Sequence, residues 1–174
     1  MSPEGSRLRS DASAAIARAE LPMRNFALSL PMALLRAREA LMRHFRPGLR
    51  AHEVTEQQWR VLRALAGESA LEVTELAART CLLTPSVSRI LPDLEARGLI
   101  ARRQVESDLR RSLVALTPAG LRLLAAHAPQ SERIYRAIEE RFGAERLSEL
   151  LRLLQELERA ARELPGPGAE EHET

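Results

Sequence analysis

The sequence contains no lysine, a single cysteine and few aromatic residues. All 26 basic residues of the 174-residue chain are Arg, and 24 acidic residues nearly balance them, so the net charge alone does not indicate a nucleic-acid ligand. One Cys cannot form an internal disulfide, which fits a reducing cytoplasm. Because aromatic residues make up 3% of the chain and Val and Ile are scarce, we do not expect a mostly β fold.

The chain also lacks a long apolar run. No stretch approaches the roughly 18 residues that a membrane span needs, and residues 1–20 have no continuous apolar core of a secretory signal. We therefore expect a cytoplasmic protein without membrane association. Leu and Ala are abundant, at 30 and 27 residues, and both favour helices. The length suits one domain with extensions, and the composition predicts a mainly α fold.

Start and stop signals divide the chain into helices. The small, polar residues 1–22 read as a flexible tail, and helical spacing from Leu28 predicts a first long helix that bends or ends near Pro47. Thr55 to Gln58 has the form of a capping box, which opens a second helix. The next helices are predicted over 74–81, over 84–97 with Thr84 as N-cap and Gly98 as stop, over 118–142 with a kink at Pro129, and from 144 to 164.

The sequence pattern changes from helical to strand-like after residue 98. Residues 99–105 and 112–116 read as two short strands around a charged tip. Helices followed by a small β-hairpin indicate a winged helix-turn-helix with long terminal helices. We accordingly divide the chain into a tail 1–22, an N-terminal dimerisation helix 23–50, a winged helix-turn-helix 51–117, C-terminal dimerisation helices 118–164 and an acidic tail 165–174.

The helix over 84–97 has two contrasting faces. Val87, Leu91 and Leu94 fall on one side at 100° per residue and predict a core-facing stripe, with Ile90 on its flank. An outer face with small hydroxyls and one Arg suits a DNA major groove, where Arg binds guanine. Its residues are Pro85, Ser88, Arg89, Pro92 and Asp93.

The hairpin tip is basic. Residues 97–111 carry five Arg and two acids. Arg110 and Arg111 at the tip can lie on phosphates or enter the narrow minor groove. Asp108 lies two residues before Arg110 and can hold a guanidinium in a fixed pose.

The segment Asp108-Leu109-Arg110-Arg111 matches the D-x-R-R wing signature, so the chain resembles MarR-type transcriptional regulators. The residues Leu76-Ala77, 85–91, 94–100 and 116–120 also occur in family order and spacing, and the resemblance covers about residues 28–164. It implies a homodimer on double-stranded operator DNA, with Arg110 in the minor groove and Asp108 orienting it. The candidate DNA-binding residues are Thr84, Pro85, Ser86, Ser88, Arg89, Asp108, Arg110 and Arg111.

The resemblance departs from the family pattern at Pro92, which lies inside the recognition helix. We expect it to kink or loosen the helix near Ser88, because proline removes one backbone hydrogen bond. The last helix independently favours dimerisation. Its apolar residues approximate the 3-4 spacing of a helix–helix seam and are Leu147, Leu150, Leu154, Leu157, Ala161 and Leu164.

Trp59 and Arg63 lie one helical turn apart and can together bind an aromatic carboxylate. From the spacing alone, a core Trp beside a surface Arg fits equally well. The segments 37–42, 45–47 and 55–60 resemble a MarR branch that controls degradation of hydroxylated aromatic acids, the homoprotocatechuate type. That resemblance implies an effector such as hydroxyphenylacetate, hydroxybenzoate or hydroxynicotinate. It assigns the carboxylate to Arg63, and the remaining pocket residues are Ser29, Met42, Phe45, Glu56, Trp59 and Tyr135.

Other readings stay open beside this one. Cys81 is the candidate for a redox-responsive regulator, although free Cys is often a small buried hydrophobe. A winged domain can also bind protein rather than DNA. The four scattered His and one Cys predict no metal site, we expect no cofactor, and no phosphate-binding, triad or zinc-protease motif indicates an enzyme.

Overall fold

A computed structural model of the protein describes residue 26 and the ranges 29–105 and 108–165, with backbone alone at 105 and 108–110. By internal contacts the chain divides into two units, Met1–Met42 and Arg43–Thr174. The elements in chain order are α1 (Leu30–Ala51), α2 (Glu56–Leu65), β1 (Leu71–Glu72), α3 (Val73–Thr80), α4 (Thr84–Ala96), β2 (Ile100–Val105), β3 (Asp108–Leu116), α5 (Pro118–Phe142) and α6 (Ala144–Arg162).

The hairpin predicted from residues 99–116 is the larger part of a small antiparallel sheet with strand order β1-β3-β2. Ile100 pairs with Leu116, and the register shifts between Gln104 and Val105, where the tip begins. The sequence analysis missed β1, because a two-residue strand has no periodicity to detect. Its Leu71 pairs with Val114 in the middle strand, so β1 joins the helices to the wing.

The core lies between α2, α3, α4 and the sheet. The predicted stripe of α4 is confirmed, since Val87, Leu91 and Leu94 have no exposed surface. Leu76 and Ala77 of α3 are also buried, as their spacing predicts. The other core members are Val54, Val61, Leu62, Leu65, Leu71, Leu99, Ile100, Val114 and Leu124.

The predicted capping box is present at the start of α2. The Gln58 backbone N–H donates to the Thr55 hydroxyl at 3.1 Å, and the Thr55 N–H donates to the Gln58 side chain at 2.8 Å. Gln58 Nε2 also donates to Asp93 at 2.7 Å, which ties the start of α2 to α4. By contrast, Thr84 is not an N-cap: Leu83 takes that position, and its carbonyl accepts from the Ser86 and Val87 N–H groups.

No helix ends at the three internal prolines. Pro47, Pro92 and Pro129 lie inside α1, α4 and α5, although each removes one intrahelical hydrogen bond. All three are exposed, so water can solvate the carbonyl that loses its donor. Buried neighbours such as Leu49 and Leu91 hold the helix on the core beside them. None of the described helices has the length and apolar character that a membrane crossing requires.

Candidate functional site

The outer face of α4 presents small polar groups and one arginine. Thr84, Pro85, Ser88 and Arg89 are exposed, whereas Ser86 is half-buried. Arg89 Nε lies 3.3 Å from the Pro85 carbonyl oxygen and donates to it, so its guanidinium is anchored on the exposed face. These groups can approach a nucleic-acid groove without displacing core residues.

A cleft of about 290 Å³ lies between the start of α4 and the wing. It brings together Thr84, Ser88 and Arg111, which the sequence analysis assigned to DNA from separate segments. The sequence analysis did not predict the other residues that line this cleft. Several of them lie on strands, and no helical periodicity links them to α4, so their positions in the sheet must be known first. The further lining residues are Glu72, Val73, Thr74, Arg102 and Ser112.

Arg111 is engaged within the wing. Its guanidinium donates two hydrogen bonds to the Glu72 carboxylate, with Nε at 3.1 Å from Oε2. These hydrogen bonds lower the pKa of Glu72, with desolvation acting in the opposite direction. The pair joins β1 to β3, so a phosphate that binds Arg111 competes with an internal carboxylate.

The two remaining wing candidates are Asp108 and Arg110. Their backbones belong to β3, and Asp108 pairs with Val105 at the base of the tip. Their side chains lie outside the described part of the structure. The assignment of Arg110 to the minor groove and of Asp108 to its orientation therefore stays a prediction.

The predicted effector residues do not all contact one another in the single chain. The rings of Phe45 and Tyr135 lie 5.4 Å apart between centroids, at 57°. Glu56 accepts a hydrogen bond from Arg46 Nε at 2.5 Å. Arg63 is exposed in the last turn of α2, and within the described ranges no carboxylate lies within ion-pair distance of it. Ser29 and Met42 belong to the first unit, so their assignment stays a prediction.

Trp59 contacts a histidine pair that the sequence analysis treated as scattered. The Trp59 ring lies 4.5 Å from the His127 ring at 66°, and His52 lies 5.6 Å from His127 at 79°. The tertiary fold alone brings these positions together, because His52 and His127 are 75 residues apart in the chain. Over the described ranges, no three His, Cys, Asp or Glu residues converge on a possible metal position.

Another groove, of about 720 Å³, lies along α1 and α5 and contains none of the predicted effector residues. Its lining combines apolar and basic side chains. The lining residues are Arg43, His44, Gln130, Arg133, Ile134, Ala137, Ile138, Arg141 and Phe142.

The predicted seam of α6 is only partly covered in the single chain. No residue of α6 is buried: Leu150 of the seam exposes 40% of its surface, whereas Leu147, Leu154 and Leu157 are half-buried. Leu151 and Leu153, which are not seam residues, expose 54% and 47% of their surface. Exposed apolar surface of this extent on one helix is typical of a partner-binding face.

Comparisons with known proteins agree with the winged helical fold described above. A family model described as "MarR family" matches residues 54–112. The chain is 43% identical over 128 residues to the homoprotocatechuate degradative operon repressor of Escherichia coli, covering 74% of this chain and 86% of that protein. The chain belongs to the MarR family. The resemblance stated from the wing signature and the mainly helical winged fold are thereby confirmed.

Two solved structures place ligand and DNA on similar MarR-type chains. NadR in complex with 4-hydroxyphenylacetate is 39% identical, with a TM-score of 0.69, and the match covers 79% of this chain and 97% of that one. The repressor CouR bound to a 23-mer DNA duplex is 28% identical, also with a TM-score of 0.69, covering 80% and 99%. As a MarR member the protein is a DNA-binding transcriptional regulator, which confirms the prediction that it is not an enzyme.

Proposed function

We propose that this MarR regulator is a homodimeric repressor that binds a pseudo-palindromic operator and releases it when a small hydroxylated aromatic carboxylate binds. The observation that carries the DNA part is the cleft where Arg111 of the wing meets Thr84 and Ser88 of α4. A helix in the major groove with a ribbon on the neighbouring backbone requires this juxtaposition. The E. coli relative's name as a repressor and the DNA complex of CouR support it.

The effector part rests on α2. Half-buried Trp59 offers a ring face, and Arg63, one turn along, offers an exposed guanidinium for a carboxylate. Tyr135 and Ser29 donate further hydrogen bonds, Met42 and Phe45 form the apolar wall, and Glu56 lies near a ligand hydroxyl. The 4-hydroxyphenylacetate bound by NadR supports this ligand class. Release follows if the effector binds the DNA-incompetent dimer more tightly than the competent one.

Selection of binding sites from a random duplex library tests the DNA part without knowledge of the operator. We expect a two-fold symmetric consensus with half-sites about one helical turn apart. On the selected duplex, Arg110→Ala should weaken binding at least tenfold, whereas Arg136→Ala on exposed α5 surface should not change it. Failure to select any duplex, or a flat salt dependence, would favour the protein-interaction alternative.

The alternative of a redox-responsive regulator depends on whether Cys81 can react with an oxidant. Cys81 is exposed and ends α3 in the left-handed conformation, with φ 51°. If the aromatic-acid account is right, the Cys81→Ser variant binds the selected duplex like the wild type. Mild peroxide then does not release the wild-type protein from this duplex. Release of the wild type alone by peroxide would favour redox control.

A further inference from the structure

Leu83 departs from the residue preference at the start of a helix. It is the N-cap of α4, and its side chain makes no capping hydrogen bond. Ser, Thr, Asp and Asn are favoured at this position because their side chains accept a hydrogen bond from the first backbone N–H groups of the helix. Leu is among the least favoured residues there. The stability of α4 therefore does not explain why this position is a leucine.

Leu83 also exposes apolar surface where dimerisation does not cover it. It is 76% exposed, more than any other large hydrophobic residue whose side chain the structure describes. The other exposed large hydrophobic residues in the described ranges all lie within 23–50 or 118–164, the segments assigned to dimerisation. Leu83 lies in the winged helix-turn-helix, so its exposed surface needs a different explanation.

The backbone holds Leu83 in an ordered turn between α3 and α4. Its carbonyl oxygen accepts from the Ser86 N–H at 2.8 Å and from the Val87 N–H at 3.1 Å. The preceding residue, Leu82, packs against the core, and its N–H donates to the Ala77 carbonyl oxygen at 3.0 Å. The exposure of Leu83 is therefore not the consequence of a loose loop.

The position of Leu83 selects the group that it can contact. In a helix-turn-helix, the N-terminal residues of the recognition helix meet base edges in the major groove. Thr84 and Ser88 are exposed on the same end of α4 and line the cleft toward the wing. Base edges in the major groove carry hydrogen-bonding groups, and the apolar group among them is the C5-methyl of thymine. A leucine side chain cannot hydrogen-bond, so this methyl group is its match.

We propose that Leu83 is a specificity-determining residue that contacts the C5-methyl group of one thymine in each operator half-site. This inference rests on the DNA part of the proposed function and adds a base preference to it. Contact with the methyl group removes the exposed surface of Leu83 from water, which favours duplexes with thymine at that position. Positions where a sequence departs from local structural preference are commonly functional, as the uncapped start of α4 then is.

Replacement of thymine by deoxyuridine tests this contact on the wild-type protein. The change removes the methyl group and leaves the hydrogen-bonding edge of the base intact. Each thymine of the selected duplex is substituted in turn, symmetrically in both half-sites, and the dissociation constant is measured by fluorescence anisotropy. We expect one symmetric position to weaken binding by about fourfold for each methyl group removed, which corresponds to one buried methylene-sized group.

Variants of Leu83 assign the effect to this side chain. Leu83→Ser removes the apolar contact and supplies a favoured N-cap, so its urea midpoint should not fall below that of the wild type. It should bind the thymine and deoxyuridine duplexes with equal affinity, within about twofold. Leu83→Met keeps an apolar side chain and should keep the preference for thymine. Arg136→Ala, the control on exposed α5 surface, should keep it as well.

The outcomes separate the role of Leu83 from DNA binding as a whole. If no duplex is selected, the DNA part of the proposed function fails and this inference fails with it. If a duplex is selected but removal of thymine methyl groups does not weaken binding, Leu83 does not contact thymine and the proposed function stands. The same conclusion follows if Leu83→Ser retains the wild-type preference for thymine at that position.

Discussion

At the scale of single residues, Gly48 shows why a glycine lies inside a helix that Ala would favour. A Cβ at this position would approach Gln130 Oε1 to 2.3 Å and His127 Cε1 to 2.6 Å. Overpacking of this kind costs about 1–3 kcal/mol. The better helix propensity of Ala offsets about 1 kcal/mol of that. We expect Gly48→Ala to lower the free energy of unfolding by about 1 kcal/mol in urea denaturation.

Gly67 supplies the matched control for that measurement. No atom lies within 4 Å of a Cβ built there, and its φ is not in the left-handed region. Gly67→Ala should therefore be neutral or slightly stabilising, since it mainly restricts the unfolded chain. Equal effects at the two positions would show that Gly48 is not needed for the packing of His127 and Gln130.

His127 also predicts a pH dependence of stability. Burial and the nearby His52 lower its pKa in the folded state below the ordinary value of 6.5, so the unfolded chain binds this proton more readily. The free energy of unfolding is therefore unaffected by this group at neutral pH. It falls as pH drops below about 6.5, because the unfolded chain then takes up a proton that the folded protein does not. Urea midpoints at several pH values should fall less steeply in His127→Leu than in the wild type. If the urea midpoints of the two proteins change with pH in parallel, the pKa of His127 is not lowered in the folded state.

At the scale of elements, the wing depends on the pair between Glu72 of β1 and Arg111 of β3. Because the carboxylate competes with phosphate for the guanidinium, we expect Glu72→Gln to tighten DNA binding. The salt dependence should steepen by up to about one phosphate contact, a slope change near 0.9. Fluorescence anisotropy on the selected duplex at several salt concentrations measures both quantities. Weaker binding by Glu72→Gln would instead mean that Glu72 holds Arg111 in its DNA-binding pose.

The elements differ in how far the sequence predicts them. Periodicity sufficed for α4, because Val87, Leu91 and Leu94 recur with the helical period and all reach the core. Local signals left open whether α1 bends or ends near Pro47. The helix continues through Pro47 to Ala51, because the effect of the proline depends on the buried residues beside it and on solvent access to the carbonyl. The His52–His127 contact was not predictable, since residues distant in sequence become neighbours only through tertiary packing.

At the scale of the whole molecule, the uncovered leucines of α6 predict a dimer. Leu150→Arg places a charge on this seam and should shift the protein toward monomer in analytical ultracentrifugation at micromolar concentration. Leu83→Arg is the control, because Leu83 is 76% exposed at the start of α4, outside the segments assigned to dimerisation. If Leu150→Arg remains as dimeric as the control, the seam lies elsewhere.

The account's central claim is that one aromatic acid controls DNA binding through Arg63. The direct measurement is anisotropy of the selected duplex with protein, titrated with 4-hydroxyphenylacetate, for the wild type and Arg63→Ala. We predict that the acid releases wild-type protein from DNA, and that Arg63→Ala binds the duplex normally but is not released. If the acid fails to release the wild type, or if Arg63→Ala loses DNA binding without any ligand, the claim is wrong.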